Sequence, residues 1–283
     1  MAAHLEWAGD EPAPPPSLVR RPLQPGELPA AVQAALWRGH QLGSPVDAVR
    51  STGFAALDAE LPGRGWPCHS LTEVLQAQPS IAEWRLLAPT MKQVVADGRD
   101  VVIVGPPKTP HLPGLRFAGL DERRLLWLRP ETPAERLWVT EQVIKANAAG
   151  LLVSWLPQAR QEQIRRLQIC AQTHDGPVFL CRPAAAEHEP SAAPLRVQLR
   201  VGLDWELHLH LLKRKGPTHE GHIVLPSMPG GLESILTPRL RRPSLLIAAR
   251  KAHEAQEAQP TREVSHAVGS PDPRAAPRRV NAH

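Results

Sequence analysis

The stretch SLTEVLQAQPSIAEWRLL, residues 70–87, decides how this chain is read. A short apolar run (Ser70 to Leu75) ends in a polar turn, and apolar residues then recur at helical spacing from Ile81 to Ala96. That order predicts a strand, a turn and a helix. Pro89 within the helical stretch should kink or interrupt it. A phosphate-binding loop occupies this position in many α/β folds and reads G-x-x-x-x-G-K-[ST]. Its glycines turn backbone N–H groups toward the phosphates, its lysine reaches the outer phosphates and its hydroxyl holds Mg²⁺. Here the turn consists of Gln76, Ala77, Gln78, Pro79, Ser80, Ile81, Ala82, Glu83 and Trp84, with no glycine and no lysine. Glu83 adds negative charge where phosphates would arrive. Positioning and charge stabilisation are nearly all that a phosphoryl-transfer enzyme supplies, so this turn is expected not to support ATP hydrolysis. Taken alone, the segment also fits a strand-turn-helix of some other α/β fold.

Outward from this segment, strand-like and helical stretches alternate. DVVIVG (100–105), LLWL (125–128), GLLVS (150–154) and VFLC (178–181) are continuous apolar runs of the kind buried on both faces of a parallel sheet. Residues 133–148 and 158–173 carry apolar residues at helical spacing, among them Leu137, Ile144, Ile164 and Leu167. Such alternation implies right-handed crossovers and a mostly parallel α/β sheet flanked by helices. After Pro194 the period becomes two. Val197, Leu199, Val201, Trp205, Leu207, Leu209 and Leu211 are predicted to face the core, and Gln198, Arg200, Glu206, His208 and His210 to face water. These are expected to be antiparallel strands at the C-terminal edge of the sheet, with a further short strand at 222–225.

The chain has 283 residues, 42% of them hydrophobic, enough for one substantial core. The expected organisation is a Pro-rich, unstructured arm over 1–27, one domain over 28–242 that begins with an amphipathic helix at Leu28–His40, and an unstructured basic Ala/Pro/Arg tail over 243–283. Lys and Arg total 33 against 28 Asp and Glu. The pI near 9.5 permits contact with nucleic acid or an acidic partner without requiring it. Cys68, Cys170 and Cys181 form neither a disulfide framework nor a zinc knuckle. With no apolar run near the ~18 residues of a membrane span and no basic-apolar start, a cytoplasmic location is expected. His208 and His210 share a strand face without an evident third ligand, and no catalytic residue, metal or cofactor is assigned.

Upstream stands STGFAALDAELPGRGWPCHSLTEV (51–74): a Ser-Thr-Gly, a short helix with Leu57 and Asp58, a link with Gly63, Gly65 and Pro67, and a strand carrying Glu73 and Val74. It resembles the segment that leads into the phosphate loop of RecA-type recombinases. Together with LWRGHQL (36–42) and LLKRKG (211–216), it makes the span 28–240 similar to the ImuA family, the RecA-like and SulA-like accessory proteins of bacterial damage-induced mutagenesis. The resemblance implies a RecA-like, P-loop-type fold and a non-catalytic role in SOS-induced error-prone translesion synthesis. The partners it implies are an ImuB-type polymerase homologue and an error-prone DnaE-type polymerase, with DNA, RecA and a second copy of the chain as further candidates. A SulA-like division inhibitor acting on FtsZ and a DNA-binding ATPase are the alternatives. Against the RecA pattern, Gly105, Pro106 and Pro107 stand where the catalytic glutamate would follow its strand, and Ser154 stands at the metal-associated aspartate. Lys213, Arg214 and Lys215 resemble the late-strand lysines, and could meet a nucleic-acid backbone or an acidic partner, or simply be a solvated strand end. Residues 181–194 replace the second DNA-binding loop.

Overall fold

The computed structural model describes residues 48–229 and 232–257. The Pro-rich arm, the helix expected at Leu28–His40, the stretch LWRGHQL (36–42) and the last residues of the tail lie outside the described residues.

Ten strands and eight helices are described. In chain order they are β1 (Val49–Arg50), α1 (Ala55–Glu60), β2 (Trp66–Pro67), β3 (Leu71–Gln76), α2 (Ala82–Ala96), β4 (Val101–Val104), α3 (Leu112–Phe117), β5 (Leu125–Leu128), α4 (Pro133–Lys145), β6 (Leu151–Trp155), α5 (Gln161–Ala171), β7 (Val178–Pro183), β8 (Leu195–Val201), β9 (Glu206–Lys213), β10 (Ile223–Pro226), α6 (Leu232–Ile235), α7 (Pro238–Arg241) and α8 (Pro243–Glu257). One eight-stranded sheet runs in the order β10-β9-β8-β3-β7-β6-β4-β5. Strands β8, β3, β7, β6, β4 and β5 are mutually parallel; β9 pairs antiparallel with β8, and β10 antiparallel with β9. The mixed, mostly parallel sheet and its antiparallel edge are what the sequence pattern predicts.

Strands β3, β4, β6 and β7 are buried on both faces because helices cover both, whereas β5, at the edge of the sheet, is only half-buried and leaves Leu126 exposed. Val74, Val101, Ile103, Leu151, Val153 and Phe179 join Leu57 of α1 and Leu86, Leu87, Met91 and Val94 of α2 in one core. On the opposite face, Val102, Val104, Leu152, Val178 and Leu180 pack with Leu137 and Ile144 of α4 and Ile164 and Leu167 of α5. Each fully buried aliphatic side chain contributes about 1.5–3 kcal/mol of transfer free energy, so the two cores dominate stability.

Pro89 does not interrupt α2, which is continuous over its fifteen residues. The proline forgoes one intrahelical hydrogen bond, and its ring packs on Gly53, where a Cβ would sit only 2.3 Å from the Pro89 Cβ. The Ser-Thr-Gly turn is held there by Asp58, whose carboxylate accepts from Ser51 Oγ at 2.7 Å and the Thr52 amide at 2.8 Å. Thr90 Oγ1, one residue past the proline, accepts from the Trp66 indole at 3.2 Å and donates to the Ser51 carbonyl at 3.1 Å. The motif is therefore a bracket that fixes α1 against α2.

Two expectations need correction. Residues 243–257 form α8 rather than an unstructured stretch: Ser244-Leu-Leu-Ile-Ala-Ala-Arg-Lys-Ala is made of good helix formers, and its first turn is tied to the body of the protein. The period-two faces of β8 also fail: its first five residues are all buried and its last two exposed. Gln198 is buried, because the turn of 3₁₀ helix at Ala184–His188 folds over that face, while Val201, assigned to the core, is exposed.

Candidate functional site at the carboxyl end of β3

After β3 the chain leaves the sheet into α2 on one face, whereas after β7, its parallel neighbour, it leaves into the 3₁₀ turn on the other. A crevice opens at such a topological switch, beyond the carboxyl ends of the strands, and ligands of open α/β sheets bind there. The β3–α2 turn lies at this point, and in this chain its own side chains fill it.

Gln76 ends β3 as a buried side chain. Ala77, Gln78 and Pro79 form the exposed tip, and Ser80 adopts φ +69°, a left-handed conformation that a phosphate loop would give to glycine. Ile81 is exposed, Ala82 is buried at the helix start, and Trp84 stacks at a tilt on Trp155 with centroids 5.7 Å apart. Glu83 is the centre of the arrangement. Only 1% exposed, its carboxylate accepts from the Ser80 amide, from the Ile81 amide at 3.0 Å and from the Trp155 indole at 3.0 Å. These two amides immediately precede the first turn of α2, at the helix end whose dipole favours an anion. An internal carboxylate thus sits on the amides of the turn where a bound phosphate would place its own negative charge. Beneath it, burial first and the Glu83 carboxylate second push the Cys181 thiol well above its ordinary pKa, so it is held protonated and unreactive.

The neighbouring strand ends are equally committed. Gly105 turns with φ +58°, and the Arg136 side chain lies across it: a Cβ there would meet Nε at 2.4 Å. Arg136 Nη1 donates to the Trp155 carbonyl at 3.3 Å. A guanidinium therefore crosses the ends of β4 and β6 near the position where the RecA pattern has its glutamate. Ser154, wholly buried, shares a 2.7 Å hydrogen bond with Thr140 Oγ1 and faces α4, not the crevice.

On the other face, sequence reasoning missed a buried ion cluster. Glu73 of β3 is 0% exposed and receives Arg182 Nη1 at 3.1 Å and Arg196 Nε at 2.6 Å. Further donors of the two arginines reach the 3₁₀ turn, its flank and the segment before α5. Arg182 reaches the Ala159 carbonyl and Glu189, and Arg196 reaches the carbonyls of Ala186 and Glu187. The signal was a charged residue inside each of three apolar strands, which demands partners. Arg182, the arginine of the segment replacing the second DNA-binding loop, thus points into the protein.

The basic triplet is split. Lys213 donates to the Ser191 carbonyl at 3.0 Å from an exposed position. Arg214 turns inward to close the C-terminus of α1, reaching the Glu60 carbonyl, Glu60 Oε2 at 3.3 Å and the Pro217 carbonyl at 2.7 Å. Lys215 is exposed. The partners of Lys213 and Arg214 thus lie away from the β3–α2 turn. His208 pairs with Glu206 at 3.0 Å, and His210 meets the His222 ring edge-on at 5.1 Å. Among the described residues no group of three or more His, Cys, Asp or Glu could hold a metal ion, and no helix is long and apolar enough to cross a membrane.

No protein-family profile matches the chain. It is 27% identical over 159 residues to the cell division inhibitor SulA of Pseudomonas aeruginosa, an alignment covering 53% of this chain and 89% of that protein. That similarity is distant, and it extends over nearly the whole of the smaller relative.

Proposed function

We propose that the protein is a non-catalytic, RecA-like accessory factor of the SOS response that acts by protein contact in error-prone translesion synthesis, with an ImuB-type polymerase homologue and a DnaE-type polymerase as partners. The observation that carries the non-catalytic part is the Glu83 carboxylate on the α2 N-terminal amides. A buried anion already holds two amides of this turn, and a second anion placed beside it is repelled. The similarity to SulA supports a place in the damage response. The resemblance of 28–240 to the ImuA family supports translesion synthesis as the branch.

The SulA similarity also favours a second reading, a division inhibitor acting on FtsZ. Purification of the tagged chain from DNA-damaged cells separates the two. Co-elution of both polymerase-type proteins is the expected result; recovery of FtsZ alone, with filamentous cells on overexpression, overturns it. Mg²⁺-dependent phosphate release from ATP by the pure chain would end the non-catalytic part of the reading.

A further inference from the structure

A second surface, remote in sequence from the β3–α2 turn, is built from the last described helices. The hairpin between β8 and β9 holds their base: the Trp205 indole donates to the Leu240 carbonyl at 3.2 Å, and Asp204 accepts from the Ser244 amide at 2.8 Å and Ser244 Oγ at 2.5 Å. Asp204 thereby supplies, from another element, the carboxylate that caps the N-terminus of α8. Within α7, Arg241 Nε donates to the Leu236 carbonyl at 3.0 Å. Beyond that base, α8 runs for fifteen residues with its side chains exposed from Leu245 to Gln256. A helix of this length is marginal in water without a covered apolar face. Leu245 is 59% exposed and Leu246 36%.

Along α7 and α8 lies a groove of about 520 Å³, to which α7 and the residue after it contribute Arg239, Arg241 and Arg242 and α8 contributes Leu245, Leu246 and Ala249. We infer that this groove is a docking site for an acidic, amphipathic segment of a partner protein, one that sets a large apolar side chain on Leu245, Leu246 and Ala249 and carboxylates against the three guanidinium groups. Charge complementarity selects the acid: among the described residues no carboxylate lines the groove, the nearby Asp204 being engaged by Ser244, and Arg forks bind carboxylates in bidentate geometry. The leucines select a protein segment over a nucleic-acid backbone, which would leave them uncovered. The inference uses none of the residues around Glu83, so its failure would leave the preceding section standing.

The test is fluorescence anisotropy with the full chain and a labelled synthetic helical peptide, Leu and Phe on one face and Glu on the other. The peptide is expected to bind, and the double variant Arg239→Glu, Arg242→Glu to weaken binding by roughly tenfold or more, about 1.4 kcal/mol or above. Leu246→Asp should weaken it independently. Both sites are exposed, so circular dichroism of these variants should match the parent. Absence of peptide binding, equal binding of the Lys-for-Glu peptide, or tighter binding of single-stranded DNA or of phosphatidylglycerol vesicles through the same arginines would each overturn the assignment.

Discussion

Glu83 joins three donors from two distant parts of the chain, two amides of its own turn and an indole 72 residues away. Glu83→Ala leaves those buried donors without an acceptor, each worth ~1–3 kcal/mol, and is expected to lower the unfolding free energy by about 2–4 kcal/mol in urea denaturation. Glu83→Gln keeps one carbonyl oxygen and should cost less. Glu73 stands in the opposite situation, one carboxylate between two buried cations. Glu73→Gln leaves that charge uncompensated and is expected to destabilise by about 3–5 kcal/mol in the same measurement. Neither cluster was legible as a contact. Glu73 lies 109 and 123 residues from its partners, and which side chains meet across such separations depends on strand register that no local pattern encodes. What could be read was the anomaly: a carboxylate in a turn suited to phosphate, and charges inside apolar strands.

The elements themselves were far more legible, because burial on both faces leaves a continuous apolar run that local sequence displays. VVIV of β4, buried at every position, is the clearest case, while LLWL matches β5 over Leu125–Leu128 in both bounds although that edge strand is only half-buried. Less visible was how elements touch. The Ser-Thr-Gly motif reads as an approach to a phosphate loop, yet in the structure it is the seat of Pro89. Gly53→Ala places a Cβ both in a left-handed backbone, at φ +80°, and 2.3 Å from the Pro89 ring. A loss of at least about 2 kcal/mol is expected from calorimetric unfolding. The misreading of 243–257 has a different origin. Composition said that this stretch lacks a core of its own, which is true of its exposed side chains, but the anchor on Asp204 comes from another part of the chain.

At the scale of the molecule, the titratable groups favour neutral pH. His174 is buried, and burial first, with Arg99 second, holds its pKa below the ordinary 6.5. The unfolded chain therefore takes up a proton at a pH where the folded one does not. Stability is unaffected above pH 6.5 and falls as the pH drops below it, through the window down to the lowered folded value. Urea midpoints measured from pH 7.5 to 5 should show that fall, and His174→Gln should flatten it. Asp204, lowered by the Ser244 hydrogen bonds, and Asp175, lowered by Asn147, act further down. Their contributions are complete above the ordinary aspartate value of 3.8 and are lost as the pH falls through their depressed values.

The position of β3 at the middle of the sheet governs how the polypeptide can be made. Both its hydrogen-bonded neighbours, β7 and β8, are encoded more than a hundred residues downstream, the first partner of Leu71 being Val178. On the ribosome this strand emerges early and waits with both edges unpaired while β4, β5 and β6 are synthesised. The nascent chain therefore passes through a long interval in which an apolar strand is open to wrong pairing, the interval in which chaperones have most to protect.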